Sequence, residues 1–377
     1  GGGHGRRRRR PQIPRGPGAT GGEVTMYSPL RHLPSVLWKR KPIQLTFFVT
    51  RKCNLRCPFC FYLESADRPE TDSAELSLDE IRKVTLSLGS LLWVAFSGGE
   101  IYLRDDLVEI SRLFYDHNRP AIMLYPTNGQ LPDLIREKTE RILQHCRKSV
   151  VVVKLSLDGL AGVHDALRNR PGCFERAMRT YRLLRDLAGR YPHFELGVNT
   201  VLCSENQDRM DDLVDFVGGL EGIRTHTVYL VRGNLLDERY KKVDAESYGN
   251  AATRLEESLR SGASPVYRFK GARLKAAQDI AQRKLIHRTM LARTQLTPCY
   301  AGRLNLVLTE TGEVYPCEIL PERLGNVREH DYDVMKILRS ERAGEVTDAI
   351  RRRRCYCTHE CYLITNILFN PRWYPAL

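Results

Sequence analysis

IQLTFFVTRKCNLRCPFC, residues 43–60, runs from an apolar segment directly into three cysteines spaced Cys53-x3-Cys57-x2-Cys60. Residues 43–50 are mostly apolar without strict alternation, the pattern of a strand covered on both faces. Five further runs read the same way: 91–96 (LLWVAF), 121–127 (AIMLYPT), 150–157 (VVVKLSLD), 194–202 (FELGVNTVL) and 225–231 (THTVYLV). Helical patterns lie between them. Ser77 caps the first with Glu80 at the third helical position, a reciprocal capping box, and Ile81, Val84 and Leu88 follow at helical spacing. Residues 103–114 and 174–187 show the same periodicity. Strands alternating with helices predict a parallel sheet of βαβ units, whose site lies at the carboxyl ends of the strands.

Each strand ends in polar or glycine chemistry: TRKCNLRC, SGGE, TNG, SLDG, NTVL and VRGN. That recurrence predicts one site lined by successive loops. Thiolates are the natural ligands of iron–sulfur clusters. Three of them within eight residues can hold one corner of a cube-shaped cluster and leave its fourth iron open to a small molecule. Zinc is the alternative, but zinc sites use four ligands, often as paired C-x2-C units, and no histidine adjoins this loop.

Here the chain resembles the radical S-adenosylmethionine (radical SAM) superfamily over about residues 43–235. The signature is CxxxCxφC with an aromatic φ, and Phe59 occupies φ. The resemblance implies an α/β fold, a partial (β/α)6 TIM-type barrel, in which Cys53, Cys57 and Cys60 hold a [4Fe–4S] cluster. It implies reductive cleavage of S-adenosyl-L-methionine to a 5′-deoxyadenosyl radical that takes hydrogen from a substrate. Ser97-Gly98-Gly99-Glu100 looks like the family's GGEP motif, with Ile101 in place of proline, and Glu100 would take the methionine amino group. Asn128, Ser156 and Asp158 at the third and fourth strand ends, Asn199 on the fifth strand and Arg232 after the sixth match cofactor-contacting positions. No residue is singled out as a catalytic acid or base. The His164-Asp165 segment with Arg168 reads as a structural helix start.

Residues 296–377 resemble the SPASM/Twitch extensions of that superfamily, which carry auxiliary clusters. Cys299, Gly312 and Cys317 match the first half of the pattern, whereas Cys355-x-Cys357-x3-Cys361 departs from the second. Five cysteines suffice for one auxiliary cluster, with Cys299, Cys317 and Cys361 as ligands and Cys355 or Cys357 as the fourth. A structural zinc site is the alternative. Cys146, Cys173 and Cys203 have no partner spacing and receive no role.

The expected organisation is a disordered basic tail (1–25), a barrel (40–235), a helical linker (236–295) and a small iron–sulfur domain (296–377). Arg6–Arg10 and Arg15 supply six of the fourteen net positive charges; Met26 reads as the translational start, and the stretch before it as an over-extended gene start. The eleven cysteines, with no signal-peptide or membrane-spanning run, point to a reducing, cytoplasmic setting and to metal rather than disulfides. The expected partners are a peptide or small-molecule substrate and an electron donor such as flavodoxin or ferredoxin, with no membrane and with nucleic acid disfavoured. No peptide-recognition domain is read ahead of the first strand. The competing class is a non-catalytic iron–sulfur or zinc protein that binds nucleic acid through basic segments. Glu100 and the ordered strand-end motifs speak against it, because a structural metal site does not need them.

Overall fold

A computed structural model of the chain describes residues 25–62, 75–260, 272–353 and 356–377. The tail expected over 1–25 lies, apart from Thr25, outside the described residues, as does Cys355.

The six runs form six strands: β1 (Gln44–Thr50), β2 (Trp93–Gly98), β3 (Ile122–Thr127), β4 (Val150–Ser156), β5 (Phe194–Leu202) and β6 (Ile223–Leu230). Each pairs in parallel with the next. β1 is buried along its whole length and β4 along all but its last residue. Such coverage removes any alternation from the sequence and explains why these strands read as continuous apolar runs. Helices α1 (Leu78–Ser87), α2 (Leu107–Asn118), α3 (Pro132–His145), α4 (Ala161–Leu167), α5 (Cys173–Arg190) and α6 (Met210–Gly218) occupy the crossovers. The capping box at α1 is made: Ser77 Oγ accepts from Glu80 N at 3.3 Å, and Glu80 Oε2 accepts from Ser77 N at 2.8 Å.

The C-terminal part continues the same sheet. After α7 (Ala245–Arg260) and α8 (Ala272–Ala292), strand β7 (Asn305–Leu308) pairs in parallel with β1 on its free edge, from Gln44↔Asn305 to Phe47↔Leu308. β8 (Glu313–Tyr315) and β9 (Gly325–Asn326) extend it antiparallel, giving the order β6-β5-β4-β3-β2-β1-β7-β8-β9. The turn between β7 and β8 falls at Thr311-Gly312, where Gly312 has φ +88°. The fold is thus a partial α/β barrel widened at its first strand, followed by α9 (Val334–Leu338), α10 (Glu341–Arg353) and α11 (Glu360–Leu368).

Ion pairs fasten this extension to the barrel. Arg328 Nε donates to Glu80 Oε1 at 2.7 Å and, with Ser77 and Tyr332, holds the Glu80 carboxyl down at about 2. A carboxyl depressed from 4.5 in the folded state stabilises above pH 4.5 and loses that contribution as pH falls through about 2. The pair is partly exposed, so its worth is about 1 kcal/mol or less. Arg328→Gln is expected to lower the thermal midpoint by about 1 °C at pH 6 and to match the parent near pH 2, which parallel melting curves check.

Candidate functional site

The carboxyl ends of the strands surround a cavity of about 260 Å³. Cys53, Cys57 and Cys60 form one wall, Gly98, Gly99 and Glu100 a second, and Asn128, Ser156, Asn199 and Arg232 complete the ring; Phe59 also lines it. The far wall comes from the C-terminal part, through Glu318 and Cys361.

The cysteine loop is seated by backbone contact. Gly99 N donates to Thr50 O and Glu100 N to Lys52 O, both at 2.8 Å. A Cβ on Gly98 would stand 2.2 Å from Thr50 O, and one on Gly99 2.1 Å from Lys52 O. Gly98 also has φ +114°, so both glycines are needed for the loop to lie against β2. Two side chains hold the loop from across the site. Asn128 Nδ2 donates to Asn54 Oδ1 at 2.8 Å and stands 3.9 Å from Cys53 Sγ, and Arg170 donates to Asn54 O at 2.9 Å.

Glu100 is 2 % exposed. It accepts from Thr127 Oγ1 at 2.9 Å, Asn128 N at 2.8 Å and Tyr102 N at 3.3 Å. Burial nevertheless raises its carboxyl to about 7. Asp158, fully buried, is absent from the cavity lining. Its carboxylate accepts from Arg168 Nε at 2.6 Å and from Val201 N at 2.8 Å. It therefore holds Arg168, which does line the cavity, with its guanidinium 5.3 Å from the centre of the Phe59 ring and 3.8 Å from Cys57 Sγ. Arg168 was legible in the sequence as a helix-start residue alone. The available signal was its position one helical turn after His164, whose Nδ1 accepts from Asp158 N at 3.1 Å.

Arg232 bridges the barrel and the C-terminal part. It donates to Glu318 at 3.2 Å and Glu360 at 3.5 Å, and its guanidinium lies over the rings of Phe61 and Tyr229. Glu318 also meets His359 Nε2 at 2.8 Å, and its carboxyl is lowered to about 2, burial opposing and His359 and Arg232 prevailing. These carboxylates follow Cys317 and precede Cys361 directly. Cys357 Sγ accepts from His359 N at 3.2 Å and Cys317 Sγ from Leu320 N at 3.3 Å. Cys299 and Cys317 pack on the main apolar core.

A longer-range clamp was not legible in the sequence. Glu310, at the end of β7, accepts from Arg51 at 2.8 Å and from the Tyr62 hydroxyl at 2.5 Å. Both flanks of the cysteine loop are thereby tied to one buried carboxylate. Glu310→Ala leaves Arg51 without that buried counter-charge, a change that costs about 3–5 kcal/mol. Expected is protein that retains markedly less iron in the first cluster after anaerobic reconstitution, read by iron assay and by the cluster's spectrum, with Glu310→Gln in between.

The residues fit an iron–sulfur group and a small cationic ligand. Burial raises the Cys53 thiol and pushes Cys57 up to about 12, with Arg168 pulling the other way. Thiols so buried become thiolates against a bound metal. Asn199 Oδ1 is buried in the cavity wall without a hydrogen-bond partner, a vacant acceptor for a ligand.

Comparison with known proteins agrees with this architecture. The radical SAM superfamily model matches residues 47–217, and the iron–sulfur cluster-binding SPASM model matches residues 299–362. Together these spans take in more than half of the chain. An AdoMet-dependent heme synthase of Methanosarcina barkeri is 27% identical over 304 residues, covering 77% of this chain and 81% of its own. The subtilosin biosynthesis protein AlbA of Bacillus subtilis is 26% identical, covering 78% of this chain and 59% of its own. Among solved structures, anSMEcpe with bound AdoMet and a peptide superposes with TM-score 0.58 at 19% identity, covering 82% and 84% of the two chains. SuiB of Streptococcus suis with S-adenosylmethionine does so with TM-score 0.59 at 14% identity, covering 84% and 71%.

The chain belongs to the radical SAM superfamily and carries a SPASM-type domain. It is an enzyme whose cofactors are a [4Fe–4S] cluster that works with S-adenosyl-L-methionine and auxiliary iron–sulfur chemistry in the C-terminal part. The non-catalytic alternative gives way to this assignment. No described helix is long and apolar enough to cross a membrane.

Proposed function

We propose that Cys53, Cys57 and Cys60 hold the cluster that meets S-adenosylmethionine, and that hydrogen is taken from a peptide or small-molecule substrate seated in the same cavity. The observation that carries this reading is the shared lining: three thiols, a buried Glu100, an unpartnered Asn199 and the C-terminal Glu318 and Cys361 face one space. When bound, the cluster supplies the electron that cleaves the sulfonium of S-adenosylmethionine.

Glu100, whose carboxyl burial raises to about 7, is held in its charged form by an ammonium and so selects the amino end of the cofactor. Asn199, Ser156 and Asn128 supply polar contacts to the remainder. Asp158 acts through Arg168, fixing a cation beside the cysteine loop. Phe59, Phe61 and Tyr229 keep water from the reacting centre. Arg232 holds Glu318 and Glu360 and so aligns the two halves. The C-terminal thiols of Cys299, Cys317 and Cys361 hold one auxiliary cluster, with Cys357 or Cys355 as the fourth ligand. Relatives are named as an AdoMet-dependent heme synthase and a PqqA peptide cyclase, which supports keeping both a small-molecule and a peptide substrate. A flavodoxin or ferredoxin serves as electron donor.

Anaerobically reconstituted protein is expected to hold about eight irons per chain, two cubes' worth. With dithionite and S-adenosylmethionine it should release 5′-deoxyadenosine. Zinc at the C-terminal cysteines with one cube's worth of iron would defeat the auxiliary-cluster assignment. Absence of 5′-deoxyadenosine from fully iron-loaded protein would defeat the cofactor assignment.

A further inference from the structure

The strand-end cavity occupies one end of the barrel; the opposite end carries a surface that the chemistry above does not use. Three segments converge there: residues 25–43 ahead of β1, 286–304 leading into β7, and 366–377 at the C-terminus. Ile43 N donates to Leu304 O at 2.9 Å, Lys39 Nζ lies 4.8 Å from the centre of the Tyr300 ring, and Trp373 Nε1 donates to Thr297 Oγ1 at 3.2 Å. Beneath them an apolar seam of Ile43, Leu92, Ala121, Leu304 and Phe369 closes the amino ends of the strands.

Two properties set this face apart. The first is charge. The segments contain four, three and one Lys or Arg respectively and no Asp or Glu. Arg40, Lys41, Arg293 and Arg372 are exposed. The second is projecting apolar surface. Residues 29–36 form a short 3-10 helix, and along it and just beyond Leu30, Leu33, Leu37 and Trp38 are 66%, 57%, 72% and 64% exposed. Leu30 and Leu33, three apart, fall on one side of such a helix. Side chains this exposed stand proud of the surface rather than lining a groove.

We infer that this end of the barrel docks on an anionic lipid surface, with Leu33, Leu37 and Trp38 entering the interface and the basic residues meeting the headgroups. Projecting Leu and Trp flanked by Lys and Arg is the combination that interfacial, non-spanning membrane contact uses. The absence of acids from all three segments gives the charge complementarity, and a fluid apolar phase accommodates protruding side chains without a preformed partner pocket. This orientation leaves the cavity mouth, at the far end of the strands, open. It is independent of the substrate reading, and it requires no membrane-crossing segment.

The test is co-sedimentation of the full chain with vesicles of equimolar phosphatidylcholine and phosphatidylglycerol, against phosphatidylcholine alone, with tryptophan emission followed in parallel. The expected result is binding to the anionic vesicles with a blue shift. Leu37→Ser combined with Trp38→Ser should weaken binding at least about tenfold, and Arg40→Gln with Lys41→Gln should weaken it and flatten its salt dependence. Both variants retain the parent's circular dichroism and 5′-deoxyadenosine formation, since these residues touch neither the cavity nor its supports. Equal binding by the Leu37/Trp38 variant would overturn the inference, because charge elsewhere in the chain would then account for it. So would failure of the parent to bind, or a parent dimer in solution that the same variant dissociates, which would assign the face to a second copy of the chain.

Discussion

Replacing Cys53, Cys57 and Cys60 together by alanine is expected to abolish 5′-deoxyadenosine formation, to the background of protein-free mixtures. Electron transfer to the sulfonium requires direct contact with an iron, and these three thiols, carried on one loop, line the cavity with Glu100 and Asn199. The loss is one of ligands and not of fold. The loop is seated by backbone bonds from Gly99 and Glu100 to Thr50 and Lys52, and by the Glu310 clamp on Arg51 and Tyr62, none of which involves a cysteine side chain. The Cys57 side chain is buried, so its truncation leaves a small void that costs about 1 kcal/mol. The variant should therefore remain soluble and keep about four irons, those of the C-terminal site. Chromatography of the reaction with dithionite as reductant, under strict anaerobiosis, measures the outcome. Undiminished cleavage in the triple variant would refute the mechanism.

The parts of this architecture that were legible in the sequence are those written in local pattern. Strands covered on both faces must be apolar throughout, so β1 and β4 announce themselves as runs, and each ends at a polar or glycine residue because the chain there meets a site rather than a core. Ser77 and Glu80 mark a helix start because both partners of the capping box lie within one turn. Cys53, Cys57 and Cys60 are legible for the same reason: a cluster corner is gripped from a single loop.

What stayed hidden depends on register and on pairs far apart in the chain. Nothing in residues 305–308 (NLVL) says that they pair with β1; that Asn305 meets Gln44 across the pair shows only in the fold. Glu310 reads as an ordinary residue before a turn, and only its contacts with Arg51 and Tyr62 give it a task. Asp158 at a strand end suggests a ligand contact, yet its geometry commits the carboxylate to Arg168, and it is the arginine that lines the cavity. Arg232 sits at a cofactor-contacting position by motif, and Glu318 and Glu360 engage it from the C-terminal part. The last three cases involve a buried charge, which must find its partner wherever the fold provides one.

Replacing Cys317 and Cys361 by alanine is expected to separate the two halves of the chemistry. Two of the proposed auxiliary ligands are removed, so iron should fall from about eight to about four per chain. The β1–β7 pairing, the Glu310 clamp and the Arg328–Glu80 pair remain, so the first cluster's loop keeps its support. Cleavage of S-adenosylmethionine to 5′-deoxyadenosine should persist, slowed a few-fold at most because Cys361 lines the same cavity and its truncation loosens that wall. Conversion of the substrate should be lost, since Glu318 and Cys361 line the same cavity that a substrate would fill. The measurement is 5′-deoxyadenosine and iron content on the same anaerobic samples, with the first cluster followed by its electron paramagnetic resonance signal and the shift it shows on adding S-adenosylmethionine. Retained signal with complete loss of cleavage would mean that the C-terminal cluster takes part in reducing the cofactor, and the division of labour between barrel and extension would fall.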